Sequence, residues 1–307
     1  MRPRPSALLL AVALDLVTGE LPDRWHPVAW IGRALAWAER RASRRSLAEG
    51  AGSLAAVTAA AWGAAALLGA GVRRLGRPGI LLEALVLKPA FAVRRLVGAA
   101  QEVRDALGAD HLDEARRRVG RHLVSRETAG LDSGEVTSAT VESVAENLTD
   151  SVTAPLLAYA LGGLSAAWAY RTLNTADAMW GYRDARYERF GKAAARLDDA
   201  ANLAPARLAA VAIMAGARLV GEDAAGAWRV AWRDHARTAS PNAGWTMGAM
   251  AGALGVRLKK RGTYRIGGPA LPGSPAVIDR ALWVFGGAAA VVVAGALVLA
   301  RARRGHG

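Results

Sequence analysis

The stretch that decides the fold is Glu142-Ser-Val-Ala-Glu146-Asn147-Leu-Thr149-Asp150-Ser-Val152-Thr-Ala-Pro-Leu-Leu-Ala-Tyr-Ala-Leu-Gly-Gly-Leu-Ser-Ala-Ala-Trp-Ala-Tyr170. Residues 152–170 carry no charge, close to the roughly 20 apolar residues that a helix needs to cross a bilayer core. The acids before them recur at helical spacing. At about 100° per residue, with Glu142 at zero, Glu146 falls near 40°, Asp150 near 80° and Thr149 near 340°. Val141, Val144, Leu148 and Val152 gather on the opposite side. Acidic groups beside a membrane are costly unless they hold something. The face therefore reads as a cation or Mg-nucleotide site at a membrane surface. A solvated helix start, with Glu142 and Glu146 favouring the helix dipole, fits the same pattern.

Working outward, residues 51–72 and 281–300 are also free of charge and read as two further spans. Weaker candidates are 6–18, which holds Asp15; 79–93, with Glu83 and Lys88; and 203–220, with Arg207 and Arg218. The expectation is an all-α, polytopic helical membrane protein. It has four to six membrane helices plus amphipathic and polar ones, in a single integral membrane domain over residues 1–307. Asp15 inside the first apolar run, and the lack of a small-x-small cleavage site, favour a retained first helix over a signal peptide. The chain has no cysteine, which excludes disulfides and thiolate chemistry. Its net charge of +14 raises nucleic-acid binding. However, the basic residues sit beside hydrophobic segments: Arg40-Arg41, Arg44-Arg45, Arg73-Arg74, Arg94-Arg95 and Arg301-Ala-Arg-Arg304. That is the mark of loops touching anionic lipid, so nucleic acid is not an expected partner.

Three more constellations carry chemistry. Asn174, Asp177, Gly181 and Asp184 fall within about 80° on a helix, a stripe open to a ligand or a second helix. Asp198, Asp199 and Asn202 share one side of another helix, with Arg196 and Arg207 within about 20° of each other elsewhere on it. Oxygen ligands suit Mg²⁺, and arginine forks suit phosphate or carboxylate, although local salt bridging uses the same residues. Ser240-Pro-Asn242-Ala-Gly244 marks a helix start able to hold an anion. The glycines at 244, 248 and 252 form a ladder for close helix packing. Residues 101–123 read as an amphipathic pair broken near Gly108-Ala-Asp110, and Asp132-Ser-Gly134 as the turn into the acidic helix. No P-loop, dinucleotide turn, nucleophile elbow or zinc motif is present.

Together these segments resemble the CobD/CbiB membrane family of cobalamin biosynthesis, the adenosylcobinamide-phosphate synthases. The resemblance runs through Asp15-x-x-x-Gly19, His26-Pro-Val-x-x-x-Gly32, Ser125-Arg126-Glu-Thr128 and Glu142-Ser-Val-Ala-Glu-Asn147-x-x-Asp150. It continues in Tyr170-Arg-x-x-Asn174-Thr-x-Asp177-x-Met-x-Gly181-Tyr182, Arg196-x-Asp198-Asp199-x-x-Asn202-x-x-Pro-Ala-Arg207, Ser240-Pro-Asn242-x-Gly244 and Tyr264-x-Ile-Gly267. Where the family usually has Gly-Asp-Pro, this chain has Gly19-Glu20-Leu21.

The resemblance implies ATP-dependent ligation of the free propionate of adenosylcobyric acid to aminopropanol or its O-phosphate, through an acyl phosphate. It implies ATP and Mg²⁺, with Glu142, Glu146, Asp150, Asp198 and Asp199 toward the metal. Asn174, Asp177, Arg196 and Arg207 are expected in catalysis. His26, Arg126, Asn147, Asn202, Ser240 and Asn242 are expected to bind substrate or nucleotide. The expected setting is a multi-pass protein of the cell membrane, in contact with lipid and with other membrane enzymes of cobalamin assembly, its site facing the cytoplasm. The basic tail puts the C-terminus in the cytoplasm, which requires residues 244–258 to cross or re-enter the bilayer. The rival expectation is a transporter or scaffold for corrinoid intermediates, without chemistry.

Overall fold

In a computed structural model the structure describes residues 2–305; Met1, His306, Gly307 and the side chain of Arg304 lie outside them. Twelve helices and one hairpin follow in chain order: α1 (Pro5–Thr18), α2 (Pro27–Arg41), α3 (Leu47–Arg74), α4 (Pro78–Leu87), α5 (Val93–Gly108) and α6 (Leu112–His122), then α7 (Ser133–Leu148), α8 (Ala154–Trp180), α9 (Lys192–Val220), α10 (Ala224–Asp234), α11 (Ala243–Leu254), β1 (Arg257–Lys260), β2 (Tyr264–Gly267) and α12 (Ala276–Gly305). Among the described residues, four helices are long and apolar enough to cross a membrane: Leu47–Arg74, Ser133–Trp180, Lys192–Val220 and Ala276–Arg303. The all-α membrane architecture is as expected, at the lower bound of four segments. α3 turns large apolar side chains outward, among them Leu67 at 77% exposure and Trp62, as a lipid-facing helix does.

Local chemistry bends or ends several of these helices. Residues 79–93 do not form one span. α4 stops at Leu87, a 3₁₀ turn covers Lys88–Ala90, and α5 begins afresh at Val93, because Pro89 supplies no N–H to continue the ladder. A π-helical turn at Thr149–Thr153 follows α7, with the Thr153 hydroxyl donating to the Leu148 carbonyl. The wider turn interrupts the 3.6-residue period from which Asp150 was placed on the face of Glu142 and Glu146. Gly163, at φ 70° and ψ −158°, kinks the expected 152–170 span within α8, a conformation open only to glycine. α8 ends at Trp180, so Asp184 lies beyond the helical stripe proposed for it. Its carboxylate instead caps a turn by accepting from Arg186 N and Tyr187 N. α11 has 12 residues, about 18 Å of helix against a core of about 30 Å. It is too short to cross the bilayer core as a helix.

The chain divides into two compact units: Met1–Ala92, Ala154–Asn202 and Val293–Gly307 in the first, and Val93–Thr153 and Leu203–Val292 in the second. In the first, α3 packs along α8 and α1 along α4, around Leu8, Leu54, Leu87, Leu156, Tyr159 and Trp180. In the second, α10 lies along α11, and α7 meets α5, α6, α11 and the hairpin. Its core includes Val136, Val144, Leu148, Met247, Leu258 and Phe285. The break at Gly108-Ala-Asp110 falls between α5 and α6 as expected. α7 begins at a capping box in which Asp132 accepts from Glu135 N at 2.8 Å and Glu135 accepts from Asp132 N at 3.1 Å. That second carboxylate also accepts from Lys259 Nζ and Arg261 Nε of the hairpin. One residue thus starts the helix and fixes the strand pair to it.

The glycine ladder joins α10 to α11. A Cβ at Gly252 would stand 2.2 Å from the Gly226 carbonyl oxygen, and one at Gly248 would stand 2.9 Å from Ala231 Cα. Gly252→Ala is expected to destabilise the protein by about 1–3 kcal/mol through this overpacking. Gly286→Ala, where a Cβ meets open space, is expected to leave the melting temperature in detergent unchanged. Equal melting temperatures for the two variants would contradict the close approach.

Candidate functional site

The second unit holds a cavity of about 280 Å³ lined by Ser125, Arg126, Glu142, Glu146, Ser240, Lys260 and Tyr264, among others. Glu142, only 3% exposed, forms its fixed wall. Its Oε2 accepts from Arg126 Nη2 at 3.0 Å and from the Tyr264 hydroxyl at 2.9 Å. Its Oε1 accepts from the Ser138 hydroxyl at 2.9 Å, and Ser138 Oγ in turn accepts from Lys259 N. Burial, then the carboxylates of Glu142 and Glu146, push the Tyr264 phenol well up, so it remains a donor at every ordinary pH. Glu146 stands one turn beyond Glu142 and has no hydrogen-bond partner among the described residues. Arg126 and Lys260 bring positive charge to the same cavity. The result is one carboxylate locked by three donors, one carboxylate open, and two cations beside them.

The start of α11 closes the cavity through Ser240 and Ala243. Ser240 Oγ accepts from Asn242 N at 3.2 Å, which fixes the turn predicted from Ser-Pro-Asn. Arg207 reaches the same turn, its Nη1 3.4 Å from Asn242 Oδ1 and its guanidinium 5.2 Å from the Trp245 ring. Asn147 is engaged within its own helix. It donates to the Ser143 carbonyl and accepts from the Ser151 hydroxyl.

The first unit holds the other acidic group. Asp198, 8% exposed, accepts from Asn174 Nδ2 at 3.4 Å and Asn202 Nδ2 at 3.0 Å. The Tyr170 hydroxyl donates to Asn202 Oδ1, and Arg171 to Asn174 Oδ1. Asp177 is close enough to Asp198 and Asp199 to feel their charges. The amide and carboxylate stripes of α8 and α9 therefore do meet, as amide-lined acids. Arg196 lies exposed on α9. Among the described residues, no group of three or more His, Asp or Glu side chains is gathered as a ready metal cage.

His26 is a helix cap. Its Nδ1 accepts from Val28 N, and its Nε2 lies 2.9 Å from Glu20 Oε2. Lys88 completes this group, 3.2 Å from Glu20 Oε2 and 3.5 Å from Asp15 Oδ1, and donates to the Gly19 carbonyl. Gly19 turns the chain at φ 70°, so Glu20 reaches Lys88 and His26 without the family's proline.

Sequence reading missed Lys88 and Lys260, and gave Tyr264 no role. Lys88 looked like a flaw in an apolar run. The other two sit on a hairpin whose signal was present but short: Leu258, Tyr264 and Ile266 alternate with polar residues around Gly262, which takes φ +67° at the turn as a three-residue hairpin loop requires.

The chain matches the family described as CobD/Cbib protein over residues 8–284. It is 42% identical over 265 residues to a probable cobalamin biosynthesis protein CobD of Methanothermobacter thermautotrophicus, covering 86% of this chain and 87% of that one. It is 36% identical over 294 residues to the cobalamin biosynthesis protein CobD of Dehalococcoides mccartyi, covering 93% and 94%. With the cobalamin biosynthesis protein CbiB of Salmonella typhimurium the identity is 37% over 267 residues, 84% and 83% of the two chains. No solved structure matches significantly.

Two outcomes test this geometry. Arg126→Met leaves Glu142 buried without its cation and is expected to destabilise by about 3–5 kcal/mol, read as lost thermal stability in detergent. Adding Glu142→Gln is expected to restore most of it, and purely additive losses would contradict the pairing. The second outcome concerns Glu20. Burial works to raise its carboxyl, but the His26 hydrogen bond and the Lys88 ammonium outweigh this and hold it below its ordinary value. The folded state thus binds this proton less readily than the unfolded one. Stability from Glu20 is complete above the ordinary carboxylate range and is lost as pH falls through the lowered value. The melting temperature of Glu20→Gln is expected below wild type at neutral pH and to converge with it on acidification. A gap that stays constant into strong acid would refute the linkage.

Proposed function

The chain belongs to the CobD/CbiB family, and from that premise we propose that it works in cobalamin biosynthesis as an ATP-dependent amide ligase. In this reading it joins the free propionate of adenosylcobyric acid to aminopropanol or its O-phosphate. A carboxylate is a poor electrophile, so ATP would first phosphorylate it. The amine would then attack the acyl phosphate, forming the amide and releasing phosphate.

The observation that supports this most is the cavity in which Glu146 is open beside Arg126, Lys260 and the start of α11. Phosphate oxygens fit the two cations and the positive end of a helix dipole. Magnesium keeps waters and phosphate ligands and needs only one or two protein carboxylates, so Glu146 fits the metal without a three-acid cage. The ion, when bound, would neutralise charge on the transferring phosphoryl group. Tyr264 and Arg126 would keep Glu142 rigid at the edge of that site. In the other unit, Asp198 would be oriented by Asn174 and Asn202, and Asp177 beside it would be the group able to take a proton from an amine. Arg207 would steady the Ser240–Asn242 turn, and Arg196 would offer exposed positive charge to an incoming anion. The nucleotide site would face the cytoplasm, where ATP is supplied; with α11 too short to cross, α12 would then carry the basic tail to the opposite side, against the expectation of a cytoplasmic C-terminus.

The test is amide formation by purified full-length protein in detergent, from adenosylcobyric acid, ATP, Mg²⁺ and aminopropanol phosphate. Product and released inorganic phosphate are measured together. Glu146→Gln and Asp198→Asn are each expected to lower kcat at least about 100-fold, the scale of a lost acid–base or charge-stabilising group, with melting temperature preserved. Corrinoid binding without ATP turnover in the wild type would instead favour a carrier or scaffold.

A further inference from the structure

A second cavity of the second unit, about 340 Å³, is lined by Arg233, Arg237, Arg257, Arg265, Ile266, Gly267 and Gly268. We propose that this arginine basin holds the phosphate of an anionic phospholipid and seats the unit at the membrane surface. The inference rests on charge and placement, and is independent of the ligase reading.

The charge is unbalanced by construction. Arg233 and Arg237 share one carboxylate, the fully buried Asp234, at 2.7 Å and 3.1 Å. Asp234 also accepts from Gly267 N at 2.9 Å, which ties the end of α10 to β2. Arg257 donates Nε to the Gly268 carbonyl, a neutral partner. Arg265 pairs with no carboxylate among the described residues. Four guanidinium groups thus face one acid, and a concave site with this surplus suits a phosphate. The hairpin explains the separation from the first cavity. Lys260 pairs with Tyr264 and Leu258 with Ile266, whereas Arg257 pairs with Gly267 and Lys259 with Arg265. Directly opposed residues share a face, so Arg257 and Arg265 project from the face opposite Tyr264.

Placement identifies the source of the phosphate. A linker of three residues, 221–223, separates the end of the spanning helix α9 at Val220 from the start of α10. Glu222 in that linker accepts from Arg280 Nε at 2.7 Å, in the first turns of the spanning helix α12. The ends of two spans are therefore fastened beside α10, which puts α10 at bilayer-surface depth. α10 exposes Trp228 and Trp232, at 54% and 61%, stacked 5.8 Å apart. Arg229 and Arg233 follow them at the same helical spacing. A tryptophan stripe flanked by arginine is the pattern of an interfacial helix. Indoles set at the level of the headgroups bring the neighbouring guanidiniums to lipid phosphates.

The test uses the full-length protein in neutral detergent, titrated with phosphatidylglycerol or phosphatidylcholine and read by native mass spectrometry and by melting temperature. Wild type is expected to prefer phosphatidylglycerol, with the preference weakening as salt rises. Arg257→Gln/Arg265→Gln, which leaves both partners of Asp234 in place, is expected to bind phosphatidylglycerol about ten- to thirtyfold more weakly, from about 1 kcal/mol per arginine. Its binding of phosphatidylcholine and its melting temperature without lipid should not change, nor should lipid preference in the control Arg183→Gln/Arg189→Gln. Equal binding of the two lipids by wild type would overturn the proposal. So would an undiminished preference in the Arg257/Arg265 variant, or displacement of phosphatidylglycerol by equimolar inorganic pyrophosphate, which would assign the basin to a soluble anion.

Discussion

The second unit depends on one buried carboxylate. Glu142 lies on α7, and its two oxygens are claimed by a loop residue before the helix, a serine one turn back and a tyrosine from the hairpin. A carboxylate so deeply buried is tolerable only when its charge is balanced and its lone pairs are filled. Each donor therefore fixes the segment that carries it. Arg126 pins the loop after α6, and Tyr264 pins β2. Ser138, receiving Lys259 N, pins β1. The cavity is what remains between three segments that Glu142 holds in place. Glu146, one turn further along, is left facing it.

Glu135 plays a related part near the turn of the hairpin, where it serves both the helix cap and two basic residues, Lys259 of β1 and Arg261 of the turn. Asp234 does so a third time, joining α10 to β2. Three acids thus anchor one short strand pair to two helices, α7 and α10. A two-stranded hairpin is marginal by itself, so these ion pairs and the apolar pair Leu258–Ile266 are what make it a fixed wall. The same device in the first unit gathers Asp15, Glu20, His26 and Lys88.

Much of this was legible from residues alone. The charge-free runs at 51–72 and 281–300, and the weaker run at 203–220 with its two arginines, became parts of spanning helices, because sufficient apolar length is the main requirement for a membrane helix. The ladder Gly244, Gly248 and Gly252 packs two helices because nothing larger fits between their backbones. Ser240-Pro-Asn242 started a helix, as local hydrogen bonding dictates. Where helical periodicity was extended across an irregular turn or past a helix end, its basis was lost. Asp150 fell in a π turn and Asp184 past a helix end, since the 3.6-residue period holds only while the ladder is unbroken. The two arms of the hairpin were too short to compete with the helical composition around them.

By itself the sequence determined that the chain is helical and membrane-spanning, which residues carry charge beside its apolar runs, and which family it belongs to. These follow from composition, spacing and ordered motifs, all of which are local or additive along the chain. Only the tertiary structure decided which acid is locked and which is open. Glu142 and Glu146 are chemically alike and one turn apart, and they differ solely in what distant residues bring to them: Arg126 and Tyr264 reach the first and leave the second unpaired. Tertiary structure also turned scattered arginines at 233, 237, 257 and 265 into one basin. Their proximity comes from the pairing of two strands and from a buried aspartate at the end of a helix, neither of which is written at any single place in the chain.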